Sequence, residues 1–408
     1  MSIFSLVWSY LKAKPLNTAL NIFLLSLGIS VITLLLVVSR QLEQRVADNT
    51  KGIDLVVGAK GSPLQLILCN IFHIDFPTGN INLKEAEKLA NHRLVKSAIP
   101  LALGDSYMNF RIIGTSQAYA ELYQAELLAG DWWKEELDVT LGANVAALTK
   151  LQLGGTFESA HGLTNEGHAH EESHYKVVGI MKPTGSVVDN LILTQVKSVW
   201  HVHEEGEEKS NMSQPLDLKL IPGYSLQDST KEITALLLKY KNPIAAIQLP
   251  RYINTQTNMQ AASPAFETAR LFTILGSAKT VLMGLAYLLV FISALSIFIA
   301  LYNSLKERKY DLAIMRSMGA SRFKLWSSVV LEGVSLTFAG TIGGLFLAHI
   351  MLFAFIQSIG DKSGLAPFHL YVEEAYLLIG GLLLGLLCSM LPAWQAYRTD
   401  IHKVLAGN

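Results

Sequence analysis

The sequence predicts a membrane protein of four transmembrane α-helices, with a large α+β extracytoplasmic domain of two lobes inserted between the first and second helices. Three observations predict it. Half of the 408 residues are hydrophobic and only 16% are charged, against roughly a quarter charged in an average soluble chain, and the mean hydropathy is +0.33. Four apolar runs, residues 20–38, 281–301, 329–355 and 375–393, are each long enough to cross roughly 30 Å of hydrocarbon at about 1.5 Å per helical residue. Between the first two runs lies a long polar stretch punctuated by Gly and Pro, as expected of a water-facing domain.

Taken in order, residues 1–18 form a lead-in helix on the cytoplasmic side or at the interface, and 19–39 the first span. Its apolar run exceeds that of a signal peptide, and Arg40-Gln41-Leu42-Glu43 stands where a small-residue cleavage site belongs, so it is read as an anchor. Residues 40–279 form the extracytoplasmic domain, with an inserted lobe at about 127–210. Strands are expected at Asp54–Val57, Val95–Leu103, Tyr107–Gly114, Tyr175–Met181, Asn190–Thr194, Leu216–Ile221 and Ala245–Leu249, from short β-rich runs between turn residues. Helices are expected at Leu83–His92 and Ser225–Lys239. In the second, Ser225 and Asp228 mark the first turn, and Ile233, Leu236, Leu237 and Tyr240 recur on one face. The remaining spans are 280–303, 323–356 and 375–396, joined by a cytoplasmic segment at 304–322 and an external loop at 357–374, with a cytoplasmic tail at 397–408.

Orientation follows from the basic residues. Lys12 and Lys14 precede the first span, Lys306, Arg308, Lys309, Arg316, Arg322 and Lys324 crowd the loop between the second and third spans, and Arg398 and Lys403 follow the fourth span. These segments face the cytoplasm and residues 40–279 face outward. Several functions are excluded at this level. Lys plus Arg (33) equal Asp plus Glu (33), so no global positive field exists to track nucleic acid. Two cysteines, Cys69 and Cys388, build neither a disulfide framework nor a Cys-type zinc site.

The cytoplasmic segment carries its own mechanical logic. Leu312, Ile314, Met315 and Met318 give a short helix an apolar stripe, ringed by Lys306, Glu307, Arg308, Lys309, Asp311 and Arg316. Gly319 suits the left-handed residue that ends this helix, and Ser321 caps the next one as it enters the bilayer. A rigid helix joined by a tight turn to a span transmits displacement.

The run Ser304-Leu-Lys-Glu-Arg-Lys-Tyr-Asp-Leu-Ala-Ile-Met-Arg-Ser-Met-Gly-Ala-Ser-Arg322, leading to Glu332 and Gly340-Thr-Ile-Gly-Gly344, resembles the hallmark of the FtsX/MacB/LolC-LolE family of ABC transporter permeases. Trp8-Ser-Tyr-Leu-Lys-Ala-Lys-Pro-Leu-Asn-Thr18 is similar to that family's lead-in helix. Gly142-Ala-Asn-Val-Ala146, Leu151-Gln-Leu-Gly-Gly155 and Tyr175-Lys-Val-Val-Gly-Ile-Met-Lys-Pro-Thr-Gly185 are similar to segments of a MacB-like periplasmic domain. The resemblance implies an inner-membrane permease that pairs as a homodimer, works with a separate ABC ATPase supplied with ATP and Mg, sits among membrane lipids and meets a periplasmic or outer-membrane partner. It implies substrates such as lipoproteins or peptides. It also implies that Lys306, Glu307, Arg308, Asp311, Leu312, Met315, Arg316, Gly319, Ala320 and Ser321 couple to the ATPase. The chain itself lacks the phosphate loop G-x-x-x-x-G-K-[ST]: Gly58-Ala-Lys-Gly-Ser62 lacks its ending, and Ala278 stands at the glycine position of Gly276-Ser-Ala-Lys-Thr280. It is read as no enzyme in its own right.

Six histidines, His161, His168, His170, His174, His201 and His203, are interleaved with Glu166, Glu171, Glu172, Glu204 and Glu205. Imidazole and carboxylate suit zinc, so a zinc-linked transport or regulatory role is the alternative, set against a solvated loop whose histidines merely titrate. A strand through 201–203 would point His201 and His203 to one face. In the third span, Glu332 is either a paired, functional acid or a snorkelling one. Gly340-x-x-x-Gly344 and Gly381-x-x-x-Gly385 mark close helix approach, within or between chains. Cys69 lies in an apolar run, 63–72, read as core.

Overall fold

Pro15 lacks an N–H, so it ends one helix and begins the next: α1 (Ile3–Ala13) gives way to α2 (Pro15–Thr50). The computed structural model describes residues 3–160, 169–204, 231–359 and 365–398. The chain divides into two compact units, Met1–Leu42 with Leu275–Asn408, and Glu43–Ile274.

The second unit contains β1 (Leu55–Ala59), α3 (Pro63–Asn70), β2 (Ile81–Asn82), α4 (Leu83–Ala90), β3 (Val95–Tyr107), β4 (Phe110–Thr115), α5 (Gln117–Leu122), β5 (Leu127–Gly130), β6 (Asp138–Leu141), α6 (Ala143–Thr149), β7 (Thr156–Ala160), β8 (Ala169–Met181), β9 (Leu191–Thr194), α7 (Val196–Glu204), β10 (Glu232–Ile233), β11 (Ala235–Tyr240), α8 (Ala245–Gln256) and β12 (Met259–Ala262). One sheet runs β12-β1-β11-β3-β4-β9-β6-β8-β5. Its pairs are antiparallel except β4 with β9 and β6 with β8. The segment expected as an inserted lobe therefore extends the same sheet beyond β4, and it gathers its own apolar cluster around Ile112, Leu141, Phe157, Tyr175 and Ile192.

Two expected elements are corrected. The helix expected over Ser225–Lys239 is, in its described part, the strands β10 and β11, and the strand expected at Ala245–Leu249 is the start of α8. In β11, Ala235 and Leu237 join Val56, Leu101 and Ile113 on one side of the sheet, while Leu236 and Leu238 join Leu55, Val57 and Ala102 on the other. A central strand covered on both faces reads as an unbroken apolar run, and such a run fits a helical period as well as a strand period. In α8, Ala245, Leu249 and Ile253 recur at i, i+4 and i+8 and bury one helical face. The Ala245 N–H is held by the Asn242 side chain at 3.1 Å. The expected strand Leu216–Ile221 lies outside the described residues.

The first unit holds α1, most of α2, and then α9 (Pro264–Glu307, its first turns in the second unit), α10 (Lys309–Ser317), α11 (Arg322–Ile359) and α12 (Val372–Arg398). Four of these helices, α2, α9, α11 and α12, are long and apolar enough to cross a membrane. At about 1.5 Å per residue, the 36 residues of α2 and 44 of α9 outrun a hydrocarbon core. The glycine pairs sit at seams inside this chain. A Cβ on Gly340 would stand 2.8 Å from Leu25, and one on Gly344 2.7 Å from Ile29, both on α2. The Ser26 hydroxyl donates to the Gly340 carbonyl at 2.9 Å. A Cβ on Gly381 or Gly385 would meet the Thr341 or Thr337 hydroxyl at 2.1 or 2.2 Å, which fixes the α11 and α12 seam.

Candidate functional site

The candidate coupling site is built around α10. Helix α9 continues through Lys306 to Glu307, Arg308 breaks the helical run, and α10 occupies Lys309–Ser317. At its end the Met318 N–H donates to the Ile314 carbonyl and the Ala320 N–H to the Met315 carbonyl, each at 3.0 Å, and Gly319 takes φ +98°. That conformation is open to glycine without steric cost and completes the turn toward α11. The Ser321 hydroxyl oxygen then accepts the Lys324 N–H at 3.2 Å, capping α11.

The apolar stripe divides between two faces. Leu312 and Ala313 are buried with Leu305, Leu325, Val329, Val330, Ala393 and Ala396, and Met315 packs against this cluster. Tyr310, Met318 and, at the start of α11, Phe323 are exposed at 58%, 75% and 68%. Leu312 thus seats the helix, and the outer surface is made by Tyr310 and Met318 with the exposed Lys309 and Asp311.

Glu332 is resolved as a paired acid. Its Oε2 lies 3.4 Å from Nη1 of Arg308, and both side chains are largely buried. The Arg308 guanidinium also stacks 3.7 Å from the centroid of Tyr10 on α1. One cation therefore joins the lead-in helix, the α9–α10 break and the third span, and an ion pair held at low exposure is weakly screened by salt. Lys14 pairs with Glu307 beside it.

A second polar site in the same unit has no forerunner in the motif reading. His349 on α11 and Glu374 on α12 are buried together, with Nε2 and Oε2 2.9 Å apart. The Nδ1 of His349 lies 2.6 Å from the Pro367 carbonyl. The Gln41 side chain grips the neighbouring Ala366, accepting its N–H and donating to its carbonyl, each at 2.9 Å. The only signal in the sequence is that His349 stands inside the third apolar run and Glu374 just before the fourth, where ionisable residues are costly.

The histidines do not assemble in the described structure. His161 and His168 lie outside the described residues, as do the side chains of His170 and His203. His174 faces Glu158, its cross-strand neighbour, at 3.5 Å. His201 lies 4.0 Å from Glu136. Residues 201–203 lie in helix α7, so the strand geometry that would have put His201 and His203 on one face is not adopted. Among the described residues no three His, Cys, Asp or Glu side chains converge as metal ligands.

In the second unit Cys69 is buried in α3, and burial pushes its thiol up to about 11. Next to it, burial, reinforced by the Arg111 charge, brings the His73 imidazole down to about 3. Its Nε2 lies 2.9 Å from the Tyr119 hydroxyl. The Tyr123 hydroxyl donates to the Asn49 carbonyl at 3.0 Å, and the Asn49 side chain accepts the Val187 N–H at 3.1 Å.

Residues 18–236, more than half of the chain, match the MacB-like periplasmic core domain, and residues 283–401 match the FtsX-like permease C-terminal domain. The chain belongs to the FtsX/MacB family of ABC transporter permeases. A relative in Methanocaldococcus jannaschii, the uncharacterized ABC transporter permease MJ1507, is 22% identical over 240 residues, which covers 58% of this chain and 56% of that one. The chain thus spans about half the length of the curated relative it matches. Among solved structures, the periplasmic region of MacB from Actinobacillus actinomycetemcomitans aligns with a TM-score of 0.34 and 13% identity, covering 56% of this chain and 98% of that one. The extracellular domain of the noncanonic ABC-type transporter YknZ from Gram-positive bacteria aligns with a TM-score of 0.30 and 11% identity, covering 52% and 99%.

Proposed function

We propose that this permease couples ATP hydrolysis in a separate ATPase subunit to movements of its extracytoplasmic domain, and so extracts or extrudes an envelope substrate such as a lipoprotein or a peptide. Two copies form the working unit in the inner membrane, with a periplasmic or outer-membrane partner receiving the substrate. The observation that carries the reading is α10: its inner face is seated on α9, α11 and α12 through Leu312 and Ala313, and its outer face presents Tyr310 and Met318. A push on such a helix is passed to the spans, because a close-packed apolar seat has little room to yield.

The test is co-purification of an ABC ATPase with the full-length chain, with coupled ATP hydrolysis in vesicles. Reporter fusions at Thr50 and Gly360 score as external, and fusions at Arg308 and Asn408 as cytoplasmic. An external Asn408 overturns the reading. Zinc binding through His161, His168, His170, His174, His201 and His203 is a separate proposal that rests on composition alone. Zinc titration of the full-length chain against its six-alanine variant decides it, and equal binding by the two removes it.

A further inference from the structure

Three cations at the end of the helical unit that carries α1 and α10 rest on exposed aromatic rings. Lys12 Nζ lies 5.0 Å from the centroid of Trp8, the Arg398 guanidinium 4.1 Å from that of Trp394, and the Arg322 guanidinium 5.9 Å from that of Tyr397. Trp8, Trp394 and Tyr397 are 62%, 50% and 40% exposed. Among the described residues no carboxylate pairs with Lys12, Arg322 or Arg398. Two other cations of this end are differently engaged, since Lys14 pairs with Glu307 and Arg308 with Glu332.

The rings are not part of the core. Helix α1 buries Val7 and packs Leu11 beside Leu25 and Ile29, while Phe4 and Trp8 are 73% and 62% exposed. Trp394 and Tyr397 lie in the last turns of α12, just beyond its exposed apolar residues Leu387, Met390 and Leu391. An amphipathic ring at the end of an apolar helix belongs at headgroup level, and a cation held over it keeps its outward N–H groups for an anion.

We propose that Lys12, Arg322 and Arg398, each seated on its ring, form a headgroup site that selects anionic phospholipids of the leaflet around α1, α11 and α12. The inference rests on the reading of α2, α9, α11 and α12 as spans. Charge complementarity names the occupant: the site carries three positive charges with no carboxylate paired to them among the described residues, and the exposed apolar residues Leu387, Met390 and Leu391 precede its rings on α12. An acidic face of the ATPase is the competing occupant. It is disfavoured because these cations are set on exposed Trp and Tyr rings, whereas the outer face of α10 carries Tyr310 and Met318.

The experiment uses the full-length chain reconstituted with mixtures of phosphatidylglycerol and phosphatidylcholine, one or the other brominated, and reads quenching of tryptophan fluorescence. The wild type prefers phosphatidylglycerol by about tenfold at low salt, since each basic residue near an anionic surface contributes about fivefold and screening removes part of it. The preference falls as salt rises. The triple variant Lys12→Gln, Arg322→Gln, Arg398→Gln loses the preference, and the triple Lys12→Arg, Arg322→Lys, Arg398→Lys keeps most of it, which separates charge from folding. Equal quenching by the two lipids in the wild type overturns the proposal. So does an unchanged preference in the glutamine variant, whether or not that variant loses the ATPase. Absence of quenching by either lipid overturns the four-span reading itself.

Discussion

Nε2 of His349 and Oε2 of Glu374 lie 2.9 Å apart inside the helical unit, joining α11 to α12 next to the loop they enclose. The pair is one link in a larger clamp. A carbonyl oxygen only accepts, so Nδ1 of His349 carries a hydrogen toward Pro367, while the other Glu374 oxygen accepts the Tyr371 N–H at 3.0 Å. Arg40 on α2 pairs with Glu373 at 2.6 Å. With Gln41 on Ala366, the described part of the loop is fastened to α2, α11 and α12 through side chains.

His349→Ala leaves a buried carboxylate without its partner and is expected to cost about 3 kcal/mol. The double variant His349→Ala, Glu374→Ala is expected to recover part of that loss. Thermal unfolding of the four members of the cycle in detergent measures the coupling. Additive single effects would remove the clamp.

Leu312 and Met318 are expected to behave in opposite ways. Leu312→Asp forces a charge into the cluster of Leu305, Leu325 and Val329 and lowers stability by about 3 kcal/mol or more. Met318→Asp changes a 75% exposed side chain. It leaves stability within about 0.5 kcal/mol and lowers ATPase co-purification or coupled hydrolysis by about tenfold, as loss of one apolar contact at an interface centre does. Normal coupling in Met318→Asp together with Tyr310→Asp would place the docking surface elsewhere.

Gly385 and Gly380 give a matched pair on α12. A Cβ on Gly385 would stand 2.8 Å from Cα of Val334 and 2.2 Å from the Thr337 hydroxyl, whereas a Cβ on Gly380 meets nothing within 4 Å. Gly385→Ala is expected to cost about 2 kcal/mol through overpacking, and Gly380→Ala to be neutral or slightly stabilising. Melting temperatures of the two purified variants compare them directly.

His73 gives the external unit an acid-side weakness. Its folded value of about 3 lies below the ordinary 6.5, so folding favours the neutral ring. The stability this supplies is present above pH 6.5 and is lost as pH falls from 6.5 toward 3, at no more than about 1.4 kcal/mol per pH unit. Hydrogen exchange at β4 and α5 in the full-length chain is expected to accelerate over that window, and His73→Phe to flatten the dependence. An unchanged slope in the variant would assign the effect to other groups.

What was legible in the sequence is what local composition decides. Four apolar runs became four long helices, because no other backbone satisfies its own polar groups within a hydrocarbon layer. The left-handed Gly319 and the Ser321 cap were legible because each depends on one residue and its nearest neighbours, whereas the helix break at Arg308 was not. Paired glycines announced close helix approach.

Tertiary structure alone decided which faces met. The run 235–240 became a central strand, because layers on both sides of the sheet take its alternate residues, and period alone does not separate that from a helix. Residues 201–203 became part of helix α7 and not a strand. Leu312 and Met318 belong to one apolar stripe in the sequence, yet the seat formed by α9, α11 and α12 buries the first and leaves the second outside. Glu332 found Arg308, 24 residues away, and His349 found Glu374, 25 residues away. No periodicity encodes such pairs, because they depend on the register in which whole helices pack. Apolar surface fixes that a helix is buried; the partner of each polar group is fixed only when the helices lock.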